Sequence, residues 1–428
     1  MKRRGWARLV VPGLLILAGT AGVLAAQEAK TAARPEWNGE ELEFFYQNTY
    51  DNSSKPAILY KPAGIEKVAK APLLIKLHYM SGDRFTVRRQ GYYQEADKRL
   101  WYVLSPELHG KNTPGGRTSW ASLEAQHDVI DALETVLRNT PNIDRRRIYL
   151  AGRSMGGTLA LLMAAKYPDR FAAVVAGQPV TDYESYYRTS VFIRKSPVKE
   201  VFLKEMGGEP KEVPFEYRRR SSFSYARNLA CLPVTIWAGV EDSVVPREQV
   251  ELLHREMSIY NPYQPPVNWL VGAPHNAGNY NAAWVCDHLQ YYENIAENEM
   301  KRLPYRYYRS LDLRTDESKP FFYLNPVLAR EDDLGEMRSS IKDGKLAVVT
   351  RNLKELTIDL YQAAGLPADR AAAAAIVSRY EVRSDRSLKF IMLYDGQPLR
   401  EESVVNLKSG EIPWGGEDPG LRNNRIKQ

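Results

Sequence analysis

Residues 147–157 read Arg-Ile-Tyr-Leu-Ala-Gly-Arg-Ser-Met-Gly-Gly, and this stretch decides the fold of the chain. The apolar run from Ile148 to Ala151 predicts a buried strand, and the residues from Gly156 to Lys166 follow the pattern of a helix. The pentapeptide between them, residues 152–156, matches the G-x-S-x-G signature of a sharp strand-to-helix turn. Small glycines on either side let the backbone turn tightly, so that the hydroxyl of Ser154 stands clear of the sheet. Ser154 is the candidate nucleophile, and an inert serine in a tight turn is the alternative.

The alternation of strand and helix extends on both sides of this turn. A β-hairpin is predicted from Leu42 to Tyr60, and a helix is predicted from Ala125 to Leu137. Further apolar runs that predict strands are Leu73–Leu77, Trp101–Leu104, Ala172–Ala176, Val234–Ala238 and Val267–Val271. Near-continuous apolar runs indicate strands that are buried on both faces. The pattern is typical of a doubly wound, mostly parallel α/β sheet, and with the serine turn it predicts the α/β-hydrolase fold.

A nucleophilic serine needs a base, and the base needs a carboxylate that orients it. In this fold the chain order is serine, acid and histidine. His275 lies in a loop just after the last predicted strand, where the fold presents its base. Asp242 follows the strand before it, ahead of a Val-Pro pair, and is the candidate acid. Glu241 is the alternative acid.

Two hydrogen-bond donors are needed to stabilise the oxyanion of the tetrahedral intermediate. The backbone N–H of Met155 is the first candidate, because it begins the helix after the nucleophile. The second donor is expected from the loop after the strand that ends at Leu77, where we choose the N–H of Tyr79, with its phenol as the alternative. His78 in the same loop is expected to have a structural role.

Residues 181–230 interrupt the rhythm of strands and helices and are rich in Tyr, Arg and Lys. An insertion of this length in a compact domain is usually functional, and we interpret it as a helical cap over the site. Tyr186 and Tyr187 are its candidate substrate-binding residues. The alternatives are that the segment is an ordinary surface excursion, or that its rings only pack the cap against the core.

The pattern changes after about residue 301, which predicts a hydrolase domain at 27–300 and a smaller β-rich domain at 301–428. Asp395-Gly396 between two apolar runs is a strong hairpin signal. The run from Ala371 to Ala375 is compatible with a short helix or a loop. The domain resembles an appended sandwich-type module, and it carries no binding motif that we recognise.

The first 26 residues combine a basic start with an apolar stretch that ends in small residues. This pattern predicts a cleaved signal peptide, so a secreted or periplasmic protein that does not stay on a membrane. An uncleaved membrane anchor is the alternative. In an oxidising compartment Cys231 and Cys286 could pair, or both could be buried free thiols.

The formal net charge is +7, but the basic residues are scattered among acidic ones in short runs. We interpret these runs as solvated faces, so nucleic acid is not an expected partner. The two cysteines cannot form a zinc site by themselves, and no pair of histidines at ligand spacing lies near them.

Beyond single residues, the stretch from about 128 to 250 resembles the catalytic domain of the prolyl oligopeptidase family of serine peptidases and its esterase relatives. The matching pieces are residues 144–148, 152–157, 167–171, 207–210 and 219–222, with Asp242 and Val245-Pro246. The resemblance implies hydrolysis of an acyl bond through an acyl-enzyme, without a metal or organic cofactor.

Three features depart from that family. The N-terminal part has no room for the propeller that screens substrates in the oligopeptidases. Asn276 follows the histidine where the family usually has Gly, and residues 78–81 lack the common His-Gly-Gly sequence. A small ester is therefore as compatible with the sequence as a peptide. The alternatives to a peptidase are a carboxylesterase acting on acetylated or feruloylated polysaccharide and a non-catalytic binding protein on the same fold.

Overall fold

The computed structural model of the chain describes residues 37–109, 120–194, 198–261, 266–275, 281–299, 310–361, 366 and 369–411. The predicted signal peptide and the predicted domain boundary at 300/301 lie outside these residues. No helix in the described part of the chain is long and apolar enough to cross a membrane.

An eight-stranded sheet forms the first layer of the structure, in the order β1-β2-β4-β3-β5-β6-β7-β8. Its strands are β1 (Glu40–Gln47), β2 (Ser54–Lys61), β3 (Ala71–Leu77), β4 (Tyr102–Pro106), β5 (Ile143–Arg153), β6 (Ala173–Gly177), β7 (Val234–Gly239) and β8 (Asn268–Leu270). The first two strands form the predicted antiparallel hairpin, and β2 pairs antiparallel with β4. All remaining pairs, from β4 to β8, are parallel. The predicted α/β-hydrolase fold is confirmed.

Helices cover both faces of this sheet. They are α1 (Thr86–Arg89), α2 (Tyr92–Arg99), α3 (Leu123–Asn139), α4 (Met155–Lys166), α5 (Tyr183–Thr189), α6 (Val191–Arg194), α7 (Val198–Met206), α8 (Pro214–Arg219), α9 (Glu248–Tyr260) and α10 (Ala282–Glu299). Along β5, Ile148 and Leu150 pack on the side of α3 and α4, whereas Tyr149 and Ala151 pack on the side of α2 and α10. Because successive side chains of a strand alternate between faces, both faces require apolar residues, which explains the near-continuous apolar runs.

Residues 181–230 form the helices α5 to α8 with two short 3-10 turns. Asp182 caps the first of them, because its side chain accepts hydrogen bonds from the backbone N–H groups of Glu184 and Ser185. The segment leaves the sheet after β6 and returns at β7. Its predicted helical character is confirmed.

The C-terminal region folds as two packed sheets around a second apolar core. Its elements are β9 (Ser310–Thr315), β10 (Leu324–Leu328), β11 (Gly335–Lys342), β12 (Gly344–Arg351), β13 (Leu353–Asp359), α11 (Arg370–Ile376), β14 (Val377–Ser384), β15 (Leu388–Tyr394), β16 (Gln397–Val404) and β17 (Leu407–Glu411). One sheet has the order β10-β13-β15-β16 and the other β17-β14-β12-β11-β9. Asp395 and Gly396 form the predicted hairpin turn with φ of 50° and 70°, and the alanine run is the short helix α11.

The helix α4, which follows the candidate nucleophile Ser154, is anchored at its C-terminal end to this second region. The Nζ of Lys166, which is 1% exposed, donates to Asp316 Oδ2 at 2.8 Å, to Glu317 Oε1 at 3.0 Å and to Gln126 Oε1 at 2.6 Å. Beside Lys166, Asn228 Nδ2 donates to the carbonyl oxygens of both Ala165 and Arg314 at 2.8 Å. A buried charge with these partners is far less costly than an unpaired one. These contacts join the β sandwich to the C-terminal end of α4.

Candidate functional site

The strand-to-helix turn at Ser154 depends on close backbone packing. Ser154 adopts φ 54° and ψ −126°, a strained conformation between β5 and α4. A Cβ atom on Gly152 would lie 2.1 Å from the carbonyl oxygen of Gly156, and one on Gly156 would lie 2.5 Å from the carbonyl oxygens of Leu77 and His78. These positions accept no side chain, so the two glycines of the motif are required by the geometry.

The candidate nucleophile and base are in hydrogen-bonding contact. Ser154 Oγ lies 2.9 Å from His275 Nε2, and His275 Nδ1 lies 2.7 Å from Asp242 Oδ2. The side chains of His275 and Asp242 are 11% and 1% exposed. When Nδ1 donates to the carboxylate, Nε2 is free to accept the proton of the serine hydroxyl. The structure thus brings together three residues that lie 121 and 33 positions apart along the chain.

The carboxylate of Asp242 is held by its own turn. Its Oδ1 accepts hydrogen bonds from the backbone N–H groups of Val244 at 2.9 Å and Val245 at 2.8 Å, which leaves Oδ2 for the histidine. The side chain of the alternative acid, Glu241, is exposed. The geometry therefore favours Asp242, as the sequence predicts.

The loop that carries His275 follows the edge strand β8. A Cβ on Gly239, at the end of the neighbouring strand β7, would lie 2.1 Å from the carbonyl oxygen of Ala273. Gln178 Nε2 also donates to the carbonyl oxygen of Pro274 at 3.3 Å. Close packing against two neighbouring strand ends is what directs the imidazole toward Ser154.

The candidate oxyanion donors lie on adjoining segments. Met155 is the first residue of α4, where the helix dipole favours negative charge. The contact between Gly156 and the carbonyls of Leu77 and His78 brings the Tyr79 loop against the same turn. The donor roles of Met155 and Tyr79 stay a prediction, because no oxyanion is present.

His78 supports this loop. Its Nε2 accepts a hydrogen bond from the N–H of Leu108 at 3.1 Å, so its Nδ1 can donate to the carbonyl oxygen of Tyr79, also at 3.1 Å. The side chain is buried, and burial lowers the pKa of the imidazole, which keeps it neutral. His78 thus ties the loop after β3 to the end of β4, which agrees with the structural role expected for it.

The two cap tyrosines are packing residues in this conformation. Tyr186 is 1% exposed within the main core, which closes it to a substrate. Tyr187 is half-buried, its ring stacks on Phe202 at 6.1 Å, and its hydroxyl donates to Glu209 Oε1 at 3.0 Å. The predicted substrate-binding role of these two residues finds no support in the geometry, because their rings and hydroxyls are used within the cap.

We therefore expect Tyr186→Ala to act on stability and leave selectivity unchanged. Loss of a buried aromatic ring should lower the free energy of unfolding by about 3–5 kcal/mol. The ratio of kcat/KM between a bulky and a small p-nitrophenyl ester should stay as in the wild type. Thermal unfolding and the two ester assays measure both, with Tyr187→Phe as a mild control that removes only the hydrogen bond to Glu209. A changed ratio of kcat/KM between the two esters, with an unchanged melting temperature, would instead show that Tyr186 lines the substrate pocket.

Both cysteines are free and lie in separate parts of the core. Cys231 packs against the core of the β sandwich, and Cys286 belongs to the cluster between the sheet and α10. Burial raises the pKa of each thiol to about 12. Of the two alternatives left open by the sequence, the structure has free thiols, of which Cys286 is buried and Cys231 is half-buried.

Two residues at this site escaped the sequence analysis. Arg153 is the variable residue of the serine motif that precedes the nucleophile, and its guanidinium lies 5.3 Å from the ring centroid of Tyr79. Lys76 lies inside β3 and is buried. The sequence does contain a signal for Lys76, because a lysine within an otherwise apolar strand is unusual.

Comparisons with known proteins indicate the family of this region. The model of the prolyl oligopeptidase family matches residues 117–299. An uncharacterised peptidase, YtmA, of Bacillus subtilis (strain 168) is 26% identical over 176 residues, which cover 38% of this chain and 65% of that protein. An acetylxylan esterase of Coprinopsis cinerea is 32% identical over 136 residues, covering 28% of this chain and 34% of that protein.

Among solved structures, an acylaminoacyl peptidase of Pyrococcus horikoshii aligns with a TM-score of 0.46 at 18% identity, covering 64% of this chain and 43% of that one. The chain spans less than two thirds of the length of either curated relative.

Proposed function

Residues 117–299 are a prolyl oligopeptidase family domain, a serine hydrolase domain of the α/β-hydrolase fold, and from this premise we propose that the chain hydrolyses an acyl bond through an acyl-enzyme. The observation that carries the proposal is the continuous hydrogen-bond chain from Ser154 through His275 to Asp242. A serine that only forms a tight turn does not require a hydrogen bond to an imidazole that a buried carboxylate orients.

In the first half-reaction, Ser154 Oγ attacks the carbonyl carbon of the substrate while His275 Nε2 takes the hydroxyl proton. Asp242 stabilises the imidazolium that forms. The oxyanion accepts hydrogen bonds from the N–H groups of Met155 and Tyr79, which are strongest when negative charge has developed. His275 then gives its proton to the leaving amine or alcohol, and the acyl group stays on Ser154.

In the second half-reaction, water replaces the leaving group. His275 takes a proton from the water, the resulting hydroxide attacks the acyl carbon, and the same two N–H groups hold the second oxyanion. Collapse of this intermediate breaks the bond to Ser154 Oγ, which recovers the proton from His275. The products are a carboxylic acid and the free enzyme, so the chemistry balances without a redox partner.

For the substrate, we propose a peptide or acylated amine first and an ester second. The peptide rests on the family of the domain and on the peptidase relative. The ester is favoured by the relative with the higher identity, which is an acetylxylan esterase. The same triad and oxyanion donors would serve either leaving group.

Parallel assays of aminoacyl p-nitroanilides, p-nitrophenyl esters and acetylated xylan distinguish these substrates. A peptidase is expected to cleave at least one anilide, whose amine leaves less readily than an alcohol. Each assay is repeated with Ser154→Ala to subtract hydrolysis that does not depend on the site. If esters and acetylated xylan are hydrolysed and no anilide is cleaved, the chain is an esterase and the peptidase proposal is wrong.

The place of action belongs to the proposal as well. The basic and apolar character of residues 1–26 supports export, so that the enzyme meets its substrate outside the cytoplasm. Expression in a bacterial host with N-terminal sequencing of the periplasmic fraction tests this. A mature protein that starts close to residue 27 is expected, and a full-length chain retained in the cytoplasm would contradict export.

A further inference from the structure

Arg153 carries a positive charge beside the nucleophile that no carboxylate neutralises in the described part of the chain. It ends β5, directly before Ser154, and it is half-buried. Its guanidinium lies over the ring of Tyr79 at 5.3 Å, and its Nε is shut off from solvent without a hydrogen-bond acceptor. A ring face supports the charge but offers no lone pair to the planar fork of N–H donors.

Two other half-buried arginines are paired with carboxylates. Arg84 contacts Glu107 at 3.0 Å, and Arg99 forms an ion pair with Glu95. This is the usual arrangement, because a guanidinium withdrawn from water without an acceptor costs free energy. Arg153 differs from them because it forms no ion pair with a carboxylate of the described residues, although it directly precedes Ser154.

A second basic side chain, that of Lys76, lies on the same side of the sheet. Lys76 pairs with Ala151 in the sheet register, so its side chain lies on the same face as that of Arg153, two residues farther along β5. It is buried, its Nζ donates to the carbonyl oxygen of Leu77 at 3.0 Å, and it lies 5.1 Å from the ring of Tyr92. Burial and the positive charge of Arg153 lower the pKa of Lys76 to about 7. The surroundings of Arg153 are therefore cationic or aromatic.

We infer that Arg153 binds a carboxylate group of the substrate next to the scissile acyl bond. The inference rests on the proposed function and adds a substrate class to it. A carboxylate is the anion that a single guanidinium matches best, with two parallel N–H···O bonds and one charge to neutralise. Since the ring beneath Arg153 belongs to Tyr79, the proposed oxyanion donor, the bound carboxylate lies beside the carbonyl that is attacked.

The carboxylate can belong to the acyl part of the substrate or to its leaving group. Two matched pairs of esters separate these sources. The mono-p-nitrophenyl ester of succinate and its methyl ester differ by a charge on the acyl side. The butyryl ester of p-hydroxybenzoate and that of methyl p-hydroxybenzoate differ by a charge on the leaving-group side.

The kinetic experiment compares kcat/KM for the two esters of each pair. It is done with the wild type, Arg153→Met and Arg153→Lys. Arg138→Met is the control, because Arg138 is exposed on α3. For one of the two pairs the wild type should prefer the acid over its methyl ester by about tenfold or more, mostly through a lower KM. Arg153→Met should lower this ratio by about tenfold, Arg153→Lys should restore part of it, and Arg138→Met should keep it. The preference of the wild type should also weaken in high salt.

A wild type that treats acid and methyl ester alike in both pairs overturns the inference, and so does an acid preference that survives in Arg153→Met. Calorimetry on Ser154→Ala protein separates this result from a failure of the proposed function. If the wild type turns over neither these esters nor any anilide of the parallel assays, the proposed function is wrong. In that case, or if only the esters fail, tighter binding of a free acid than of its methyl ester to Ser154→Ala protein, lost on adding Arg153→Met, still supports the subsite. Equal binding of both members of each pair rejects it.

Discussion

Ser154→Ala is expected to lower kcat/KM for any substrate of the chain by on the order of a thousandfold or more, because one missing member disables the whole triad. The hydroxyl oxygen is the atom that attacks, and His275 cannot substitute for it from 2.9 Å away. The fold should survive, since alanine adds no atom to the crowded turn and the same strained φ of 54° applies to both residues.

The measurement is steady-state kinetics on the best substrate, with thermal unfolding as the check on the fold. A melting temperature close to that of the wild type together with lost turnover is the expected combination. Activity within a few-fold of the wild type would show that the attacking group lies elsewhere, whichever substrate is used.

Asp242→Asn is expected to lower kcat by on the order of a thousandfold while Glu241→Gln changes it little. The amide oxygen of an asparagine can still accept from the N–H groups of Val244 and Val245, so the turn keeps its shape. The amide nitrogen then faces His275 Nδ1 and donates to it. This fixes the proton on Nε2, and the imidazole can no longer accept the proton of Ser154.

Kinetics on these two variants and on Asp242→Ala gives the test. Asp242→Ala should also be slow, but it loses the bonds to the turn as well, so its melting temperature should fall further than that of Asp242→Asn. Greater loss in Glu241→Gln than in Asp242→Asn would mean that the acid is the neighbouring residue. Equally small losses of kcat in Asp242→Asn and Glu241→Gln would show that neither carboxylate takes part in the mechanism.

The sheet was predictable because its constraints are local and repeated along the chain. Each parallel strand needs apolar residues on both faces, so runs such as Leu73–Leu77 are visible without a structure. Asp395 and Gly396 are similarly informative, because few residues adopt the positive φ of that turn. The spacing of serine, acid and histidine relative to the strand ends placed Ser154, Asp242 and His275 on one edge of the sheet.

Features that depend on contacts between distant segments were not predictable. The sequence around a tyrosine in a helical insertion is the same whether its ring lines a pocket or fills the core. The burial of Tyr186 could therefore not be predicted. The same holds for Lys166, whose partners Asp316 and Glu317 lie about 150 residues away. Its place at the end of an apolar helix gives no sign that it is buried.

The β-rich region shows the same limit at larger scale. Alternating residues indicate strands but not which sheet each strand joins. The chain passes from one sheet to the other after Arg351, so β12 and β13 are consecutive without pairing. Asn352, with φ 58°, makes this crossing, and its side chain donates to the carbonyl oxygens of Arg330 and Asp333 at 3.0 Å.

The central claim is that Ser154 is the nucleophile of an acyl-transfer site, and covalent labelling tests it without knowledge of the substrate. A fluorophosphonate probe reacts with a serine only when a base activates it, and tandem mass spectrometry of the digest locates the adduct. The account predicts an adduct on the peptide that contains Ser154 in the wild type, slower labelling in Asp242→Asn and none in Ser154→Ala. A folded wild-type protein that stays unlabelled, or one labelled at a different serine, would contradict it.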